Sequence, residues 1–427
     1  MLHFCRNPLS LHEAQNDYNS RKINSLNHRE SMKSFNILII TLLFASTVYA
    51  HKNTVVVNEY AAIDSAAIRM PESATASTGD IAAYIVDNFK SDAERVRAVF
   101  AWLTSNVEYD VSNMYALNFY EKREDKIART LLTRKGICAD YAAVFKEVCD
   151  KAGIKSYVIE GYTKQNGMTD YVPHAWNGAR IDGTWYLFDA TWGSGYIDNH
   201  KFTRKTNNQY FKAAPSAMIK SHMPFDYLWQ FLNYPVSNQD FLHGNIIIDE
   251  SKPYFSFIDS IAAYDTMSHL EQISTAAGRI ERNGVKNGMI FERLQHLKLE
   301  IENTRQMETV NLYNSATSNL NESVNHMNDY INFKNKQFTP AKPDAEIQQM
   351  LTSATKNIDS ARTQIAQIKE PGENVSSMIP QLQKTITDLE GRIKEEQTWL
   401  NSYLKKGKAA RRSMFYTRVS MYGIPLN

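Results

Sequence analysis

The sequence predicts an α+β domain, with helices packed on an antiparallel sheet, followed by an elongated α-helical coiled-coil bundle. Three observations carry this reading. Apolar spacing is helical up to about residue 151 and becomes alternating from Ser156. Asp182-Gly183, between two apolar runs, is the signature of a tight β-hairpin. Beyond residue 258, apolar residues step by four and three along Ile347, Leu351, Ala354, Ile358, Ala361, Ile365 and Ile368. The same stepping resumes along Ile379, Leu382, Ile386, Leu389 and Ile393, after a Glu370-Pro371-Gly372-Glu373 turn.

Taken in order, the first element is not part of the fold. Ile37 to Val48 is an apolar run of 12 residues, short of the roughly 20 that span a bilayer. It follows Lys33 and ends in Val48-Tyr49-Ala50, a small-x-small exit, so residues 32–50 read as a secretory signal peptide; the alternative is a buried core helix. Met32 is then the natural start, residues 1–31 an upstream mis-start extension, and the product secreted or periplasmic. Residues 51–257 form the expected α+β domain and 258–427 the helical bundle.

Within the first domain, Thr54 to Val57 is strand-prone. Residues 79 to 107 hold two helices, with stripes Ile81, Ile85, Val86, Phe89 and Val96, Val99, Phe100, Leu103, the second capped by Ser91-Asp92. A helix starts near Cys138, after Gly136. It buries Tyr141, Phe145, Val148 and Cys149, and Gly153 closes it. Strands follow at about 156–162, 174–181 and 184–190. In the second domain a further helix covers about 289–335, with Leu320, Val324, Met327 and Ile331 on one seam, and a strand-like tail runs from Met414 to Tyr422. The five cations between Lys405 and Arg412 read as a solvated helix end or as an anionic contact.

Composition excludes whole function classes. The 427 residues hold 48 Lys plus Arg against 46 Asp plus Glu, a net charge of +2, so neither a strongly basic nucleic-acid binder nor an acidic solvating chain fits. With 43% apolar and 22% charged residues, and 17 Gly and 12 Pro, the chain is globular rather than fibrous or linker-like. Of three cysteines, Cys5 precedes the expected cleavage point. Cys138 and Cys149 lie on one helix about 16 Å apart along its axis, too far for the roughly 7 Å that a disulfide allows.

The chemistry centres on Cys138. At a helix start, unpaired N–H groups and the helix dipole favour a thiolate, and the same N–H groups can hold an oxyanion. A buried structural cysteine is the plain alternative. With Asp182-Gly183 as the turn, His174 faces Thr191 and Asp189 faces Trp176. His174 and Asp189 are then diagonal neighbours on one face, about 7–8 Å apart at Cα. Asp189 would orient the imidazole, His174 would take the thiol proton and Cys138 would attack. Asp140, beside Cys138, is a first-turn acid that would oppose a thiolate. Cys149 reads as core, and Trp192 and Tyr141 as structural. His200, His222 and His243 show no metal-ligand spacing, so no metal site is expected.

These residues carry a resemblance. Gly136-Ile137-Cys138 opening a helix, Pro173-His174-Ala175-Trp176-Asn177, Trp185-Tyr186 and Asp189-Ala190-Thr191-Trp192-Gly193 resemble the transglutaminase-like (papain-like cysteine) superfamily, and within it the kyphoscoliosis peptidase/cytokinesis-protein-3-like branch. The segments with Val96, Arg97, Trp102, Asn106, Tyr109 and Asp110, and Tyr210-Phe211 through His222, Pro224 and Trp229, fit the same pattern. The resemblance spans about 80–235. It implies a papain-like core with Cys138 as nucleophile, His174 as base and Asp189 as orienter. It also implies acyl chemistry on protein or peptide amides through a thioester (peptidase, amidase or transglutaminase), without metal or organic cofactor. Some relatives use a Trp at the oxyanion site, which makes Trp102 a candidate alongside helix packing. Trp176 shares the triad's face, as groove wall or core. The rival reading is a catalytically silent binding or scaffold module whose helical half recruits a protein partner.

Overall fold

In the computed structural model, residues 59–115 and 121–416 are described. The expected signal peptide at 32–50 and the strand-prone Thr54 to Val57 lie outside them, as does all of the expected tail beyond residue 416; Met414, its first residue, caps a short helix instead. Chain contacts separate Met1–Ala62 from Ile63–Asn427, and the account below concerns the second unit.

Local sequence starts the helices of residues 79–107 and the helix at Cys138 where expected; helices over Ala61–Ile68 and Arg123–Thr133 are additional to those expected. After α1 (Ala61–Ile68), Ser77 caps α2 (Thr78–Asn88) by accepting from the Asp80 amide. Ser91 and Glu94 close a capping box on α3 (Asp92–Asn106), which buries Val96, Val99, Phe100 and Leu103. The two-residue strand β1 (Glu108–Tyr109) follows. Next come α4 (Arg123–Thr133) and β2 (Lys135–Gly136), which pairs in parallel with β1, Tyr109 opposite Gly136. Then α5 (Cys138–Lys151) begins. A side chain at 136 would put its Cβ 2.6 Å from that of Asp140, so only glycine fits the approach to this helix.

The sheet is antiparallel. It contains β3 (Ser156–Gln165), β4 (Met168–Thr169), β5 (His174–Ile181) and β6 (Thr184–Phe188) in the order β4-β3-β5-β6. The β5–β6 turn has Asp182 at φ 48° and Gly183 at φ 83°, the positive pair of a type I′ hairpin. Its register sets Asn177 opposite Phe188 and Gly178 opposite Leu187, as the turn predicted. The second strand stops at Phe188, two residues short of expectation. Asp189 there accepts from the Thr191 and Trp192 amides and turns the chain into α6 (Ala190–Ser194).

A small hairpin, β7 (Gly195–Asp198) with β8 (Lys201–Arg204), and helix α7 (Pro215–Met218) lead to β9 (His222–Pro224). Gly161 on β3 pairs with His174 on one edge and Pro224 on the other, so β3 lies between the strands that carry His174 and His222. Helix α5 covers the sheet and buries Tyr141, Phe145 and Val148, each worth about 1.5–3 kcal/mol of apolar transfer.

After α8 (Asn238–His243), the core continues through the expected boundary at 257/258. Ile261 of α9 (Phe257–Tyr264) packs with Ile159, Trp176 and Trp185. Ile273 and Ile280 of α10 (His269–Asn283), with Ile290, Leu294 and Leu297 of α11 (Gly288–Asn335), pack with Tyr162, Phe225 and Phe241. A buried bidentate pair ties α10 to this core: Arg279 donates to Asp226 at 2.7 and 2.8 Å, and the same carboxylate caps the turn at Leu228.

The coiled-coil core proper begins at Ala316. There α11 meets α12 (Asp344–Gln367) and α14 (Ile379–Leu404), with every heptad residue of α12 from Ile347 to Ile365 buried. The Pro-Gly turn is lengthened by the one-turn helix α13 (Glu373–Ser376). Of the basic run, Arg411 in α15 (Lys408–Ser413) forms a bidentate ion pair with Asp344 across the bundle end. No helix among the described residues is long and apolar enough to cross a membrane.

The Asp226–Arg279 pair yields the first prediction. Arg279→Ala strands a buried carboxylate and is expected to cost about 3–5 kcal/mol in denaturant unfolding. Asp226→Asn combined with Arg279→Met should recover much of that loss; a single-variant cost below about 1 kcal/mol would show that the pair holds little.

Candidate active site

Cys138 is the first residue of α5, 6% exposed, and lines a cleft of about 1130 Å³ together with His174, Tyr109, Thr191 and Trp192. Position follows from the parallel β1–β2 ladder, which delivers Gly136 directly before the helix. The first N–H groups of a helix have no intrahelical acceptor, so a negative charge at Cys138 meets donors and the positive end of the dipole. Asp140 does not oppose it freely. One carboxylate oxygen accepts from the Ile137 amide at 2.7 Å and the other from Arg129 at 3.0 Å.

His174, opening β5, and Asp189, just past β6, meet although the expected pairs His174–Thr191 and Asp189–Trp176 are replaced by a turn, since the β5–β6 pairing ends at Asn177–Phe188: Nε2 of the imidazole lies 2.8 Å from Asp189 Oδ2. That leaves Nδ1 for the sulfur, and Cys138 is among the groups that stabilise the charged ring. Asp189 Oδ1 accepts from the amides of Thr191 at 2.8 Å and Trp192 at 3.0 Å. The same Oδ2 has a second imidazole on it, His222 Nε2 at 3.1 Å, and His222 Nδ1 lies 2.8 Å from Ser221 Oγ. This network assigns the tautomer of His222: the Ser221 hydroxyl donates to Nδ1, and Nε2–H donates to the carboxylate.

The electrostatics follow from burial and charge. Burial acts to lower the pKa of His174, but the charge and hydrogen bond of Asp189, joined by Cys138, outweigh it and push the value up to about 10. For Asp189, burial acts upward and loses to His174 and His222, so the carboxyl lies below its usual range. His222 goes down, burial being the largest cause, and stays a neutral donor. An imidazolium beside a sulfur at a helix start sets a proton donor and the positive end of a helix dipole against the nucleophile. Cys149 is the contrast: fully buried and free, its thiol is pushed well above the usual value.

The other expected residues fall differently. Trp102 is 1% exposed inside α3, with the Arg134 guanidinium over its ring at 4.9 Å; it is core and does not line the cleft. Trp176, also 1% exposed, stacks behind His174 at 6.0 Å as a backing wall, not a groove surface. The groove residues are instead Trp192, expected to be structural, and Tyr109. Burial, then the charges of Cys138 and Asp189, push the Tyr109 phenol up, so it is a neutral donor facing the sulfur's cleft. His222 was legible only as part of a resemblance. A histidine 33 residues beyond Asp189 has no local signal, because its partner is reached across β3. His174, Asp189 and His222 each offer an atom within 4.8 Å of the others, a spacing that a metal ion can use. Those same atoms are joined here as two imidazoles on one carboxylate oxygen, so the spacing that the sequence did not show for His222 arises through space, across β3.

The second prediction tests the ion pair. At pH 7, iodoacetamide is expected to modify Cys138 and leave Cys149 untouched, read by peptide mass mapping; equal slow rates would remove the claim of a special thiol. A raised pKa keeps the His174 proton on through neutral pH, and it is lost only as pH rises through about 10. The anionic reagent iodoacetate should therefore keep an advantage over iodoacetamide up to about pH 9 and lose it near 10. Loss of that advantage near about pH 6.5 would mark an ordinary histidine.

Part of this chain is similar to known proteins. Residues 79–190 match the family model described as the transglutaminase-like superfamily. Kyphoscoliosis peptidase of Mus musculus is 30% identical over 227 residues, covering 49% of this chain and 34% of that protein. Hillarin of Drosophila melanogaster is 25% identical over 205 residues, covering 43% of this chain and 24% of its own. The chain thus spans about a third or less of the length of these relatives. Among solved structures, the periplasmic domain of TgpA from Pseudomonas aeruginosa is 20% identical, covering 31% of this chain and 48% of that one, with a TM-score of 0.23.

Proposed function

We propose that this chain, which carries a transglutaminase-like domain similar to that of kyphoscoliosis peptidase, is an exported cysteine-dependent acyl-transfer enzyme acting on protein or peptide amides. The observation that carries the proposal is that His174, bonded to the buried Asp189, lines one cleft with Cys138 at a helix start. Export rests on the sequence of residues 32–50, and a partner for the helical half rests on its long amphipathic helices.

The chemistry follows from the groups present. The Cys138 thiolate attacks the amide carbonyl carbon, and the carbonyl electron pair moves onto oxygen. Helix N-terminal amides, and the neutral Tyr109 phenol across the cleft, supply donors for that oxyanion. The tetrahedral intermediate collapses, the C–N bond breaks, and the amine leaves with the proton of the His174 imidazolium. A thioester remains on Cys138, and His174 is now neutral. It then takes a proton from the incoming water or amine, which attacks the thioester and releases the sulfur as thiolate. Water gives hydrolysis and a lysine amine gives a crosslink. Asp189 keeps the ring oriented and its charge balanced through both halves.

The test is mass spectrometry of a peptide and amine library incubated with wild type, Cys138→Ala and His174→Ala. Shorter peptides or new isopeptides are expected from wild type only, with Cys138→Ala inactive and His174→Ala slower by at least about 100-fold. No product from wild type would leave a silent binding module as the surviving reading, and equal product from Cys138→Ala would remove Cys138 as the nucleophile.

A further inference from the structure

We propose that His222 is a positioning residue of this site, holding the Asp189 carboxylate in the one orientation that aims His174 at Cys138. The inference deepens the functional reading above and rests on it. His222 shares Asp189 Oδ2 with His174, at 3.1 Å against 2.8 Å. Its ring is held at its other nitrogen by the Ser221 hydroxyl at 2.8 Å, and it packs against Trp192 at 4.6 Å and Trp176 at 5.1 Å. The backbone is fixed as well, since His222 pairs with Thr163 on β3. A ring so held cannot swing, and a carboxylate bonded to it cannot turn.

The need for such a group comes from the position of Asp189. It is the residue at which β6 ends and α6 begins, so its Oδ1 is committed to the amides of the turn and only Oδ2 reaches the site. His222 does not compete for the chemistry itself. It is 1% exposed and does not line the cleft, whereas His174 does. The groups that face His222 are Asp189, His174 and Asp170, together with the rings of Trp176, Trp192 and Tyr210. A proton on both imidazoles would put two cations 5.6 Å apart in a buried site, so His222 serves as a neutral donor and His174 alone carries the charge.

The test compares His222→Leu, which removes the donor, with His222→Gln, which keeps an N–H at similar reach. In full-length protein with labelled histidines, NMR follows the titration of His174, identified by the signal lost in His174→Gln. Iodoacetamide reports the Cys138 rate. In His222→Leu the His174 midpoint is expected to fall from about 10 by about one pH unit, a tenfold loss of proton affinity, and the Cys138 rate at pH 7 to drop about tenfold. His222→Gln should restore both to within about threefold of wild type. An unmoved midpoint in a folded His222→Leu protein, or a glutamine variant as damaged as the leucine one, would overturn the proposal. If His222→Leu does not fold, Ser221→Ala takes its place: loosening the ring should lower the midpoint, and an unchanged value overturns the idea. A wild-type Cys138 no faster than a cysteine in a short peptide, with the midpoint still responding to His222, would sink the enzymatic reading and leave the positioning role standing.

Discussion

A carboxylate with no exposure to water is tolerable only when both oxygens are met by donors, and Asp189 meets that condition with four: two backbone amides and two imidazoles. The amides come from the turn that its own side chain creates, so the end of β6 and the start of α6 are part of the site, not merely its support. The imidazoles come from β5 and β9, on either side of β3. One side chain therefore joins three strands and a helix, and the raised affinity of His174 for its proton is a consequence of that junction.

This dependence explains the burial of the surroundings. Charge on His174 persists near neutrality because a fixed anion outweighs the cost of burial, and the rings of Trp176 and Trp192 pack against the two imidazoles that hold that anion. Trp176 does its part from behind, with no need to touch substrate. The cleft side is closed by Trp192 and Tyr109, which leave Cys138 reachable yet only slightly exposed. Asp140, which the sequence sets against the thiolate, is turned into support by Arg129 and the Ile137 amide; its carboxylate fastens the start of the helix.

Much of this was legible in residue order because it is set locally. The Asp182-Gly183 turn determines a register as far as Asn177–Phe188, and the cap that Asp189 makes on α6 completes its approach to His174; a slip of one residue would have turned the strand's faces over. The helix cap at Ser91, and the heptad seam from Ile347 to Ile393, are local in the same sense. What escaped is what depends on distant chain segments. Trp102 and Trp176 have the composition of groove residues, and only packing shows that Arg134 covers one and His174 the other. His222 reaches Asp189 across a strand, with no spacing rule to announce it. The domain boundary drawn at 257/258 followed a change in composition, but helices α9 and α10 and the start of α11 bury their apolar faces against the sheet, so the core continues past it.

That continuity bears on how the two halves are coupled. Helix α11 is 48 residues long, about 72 Å at the rise of an α-helix, and it belongs to both cores: its first turns pack with Tyr162 and Phe241, its later ones with α12 and α14. Tyr162 lies on β3, the strand between the two histidine-bearing strands, and it donates to Asn238, which in turn donates to the Gly284 carbonyl at the end of α10. The coiled coil and the sheet are thus joined by one continuous helix and by the Tyr162–Asn238–Gly284 hydrogen bonds, with Asp226–Arg279 as a second tie beside them. The bundle shares a helix and a buried core with the strand that spaces His174 from His222, which is why the helical half is better regarded as an extension of the sheet's packing than as a tethered appendage.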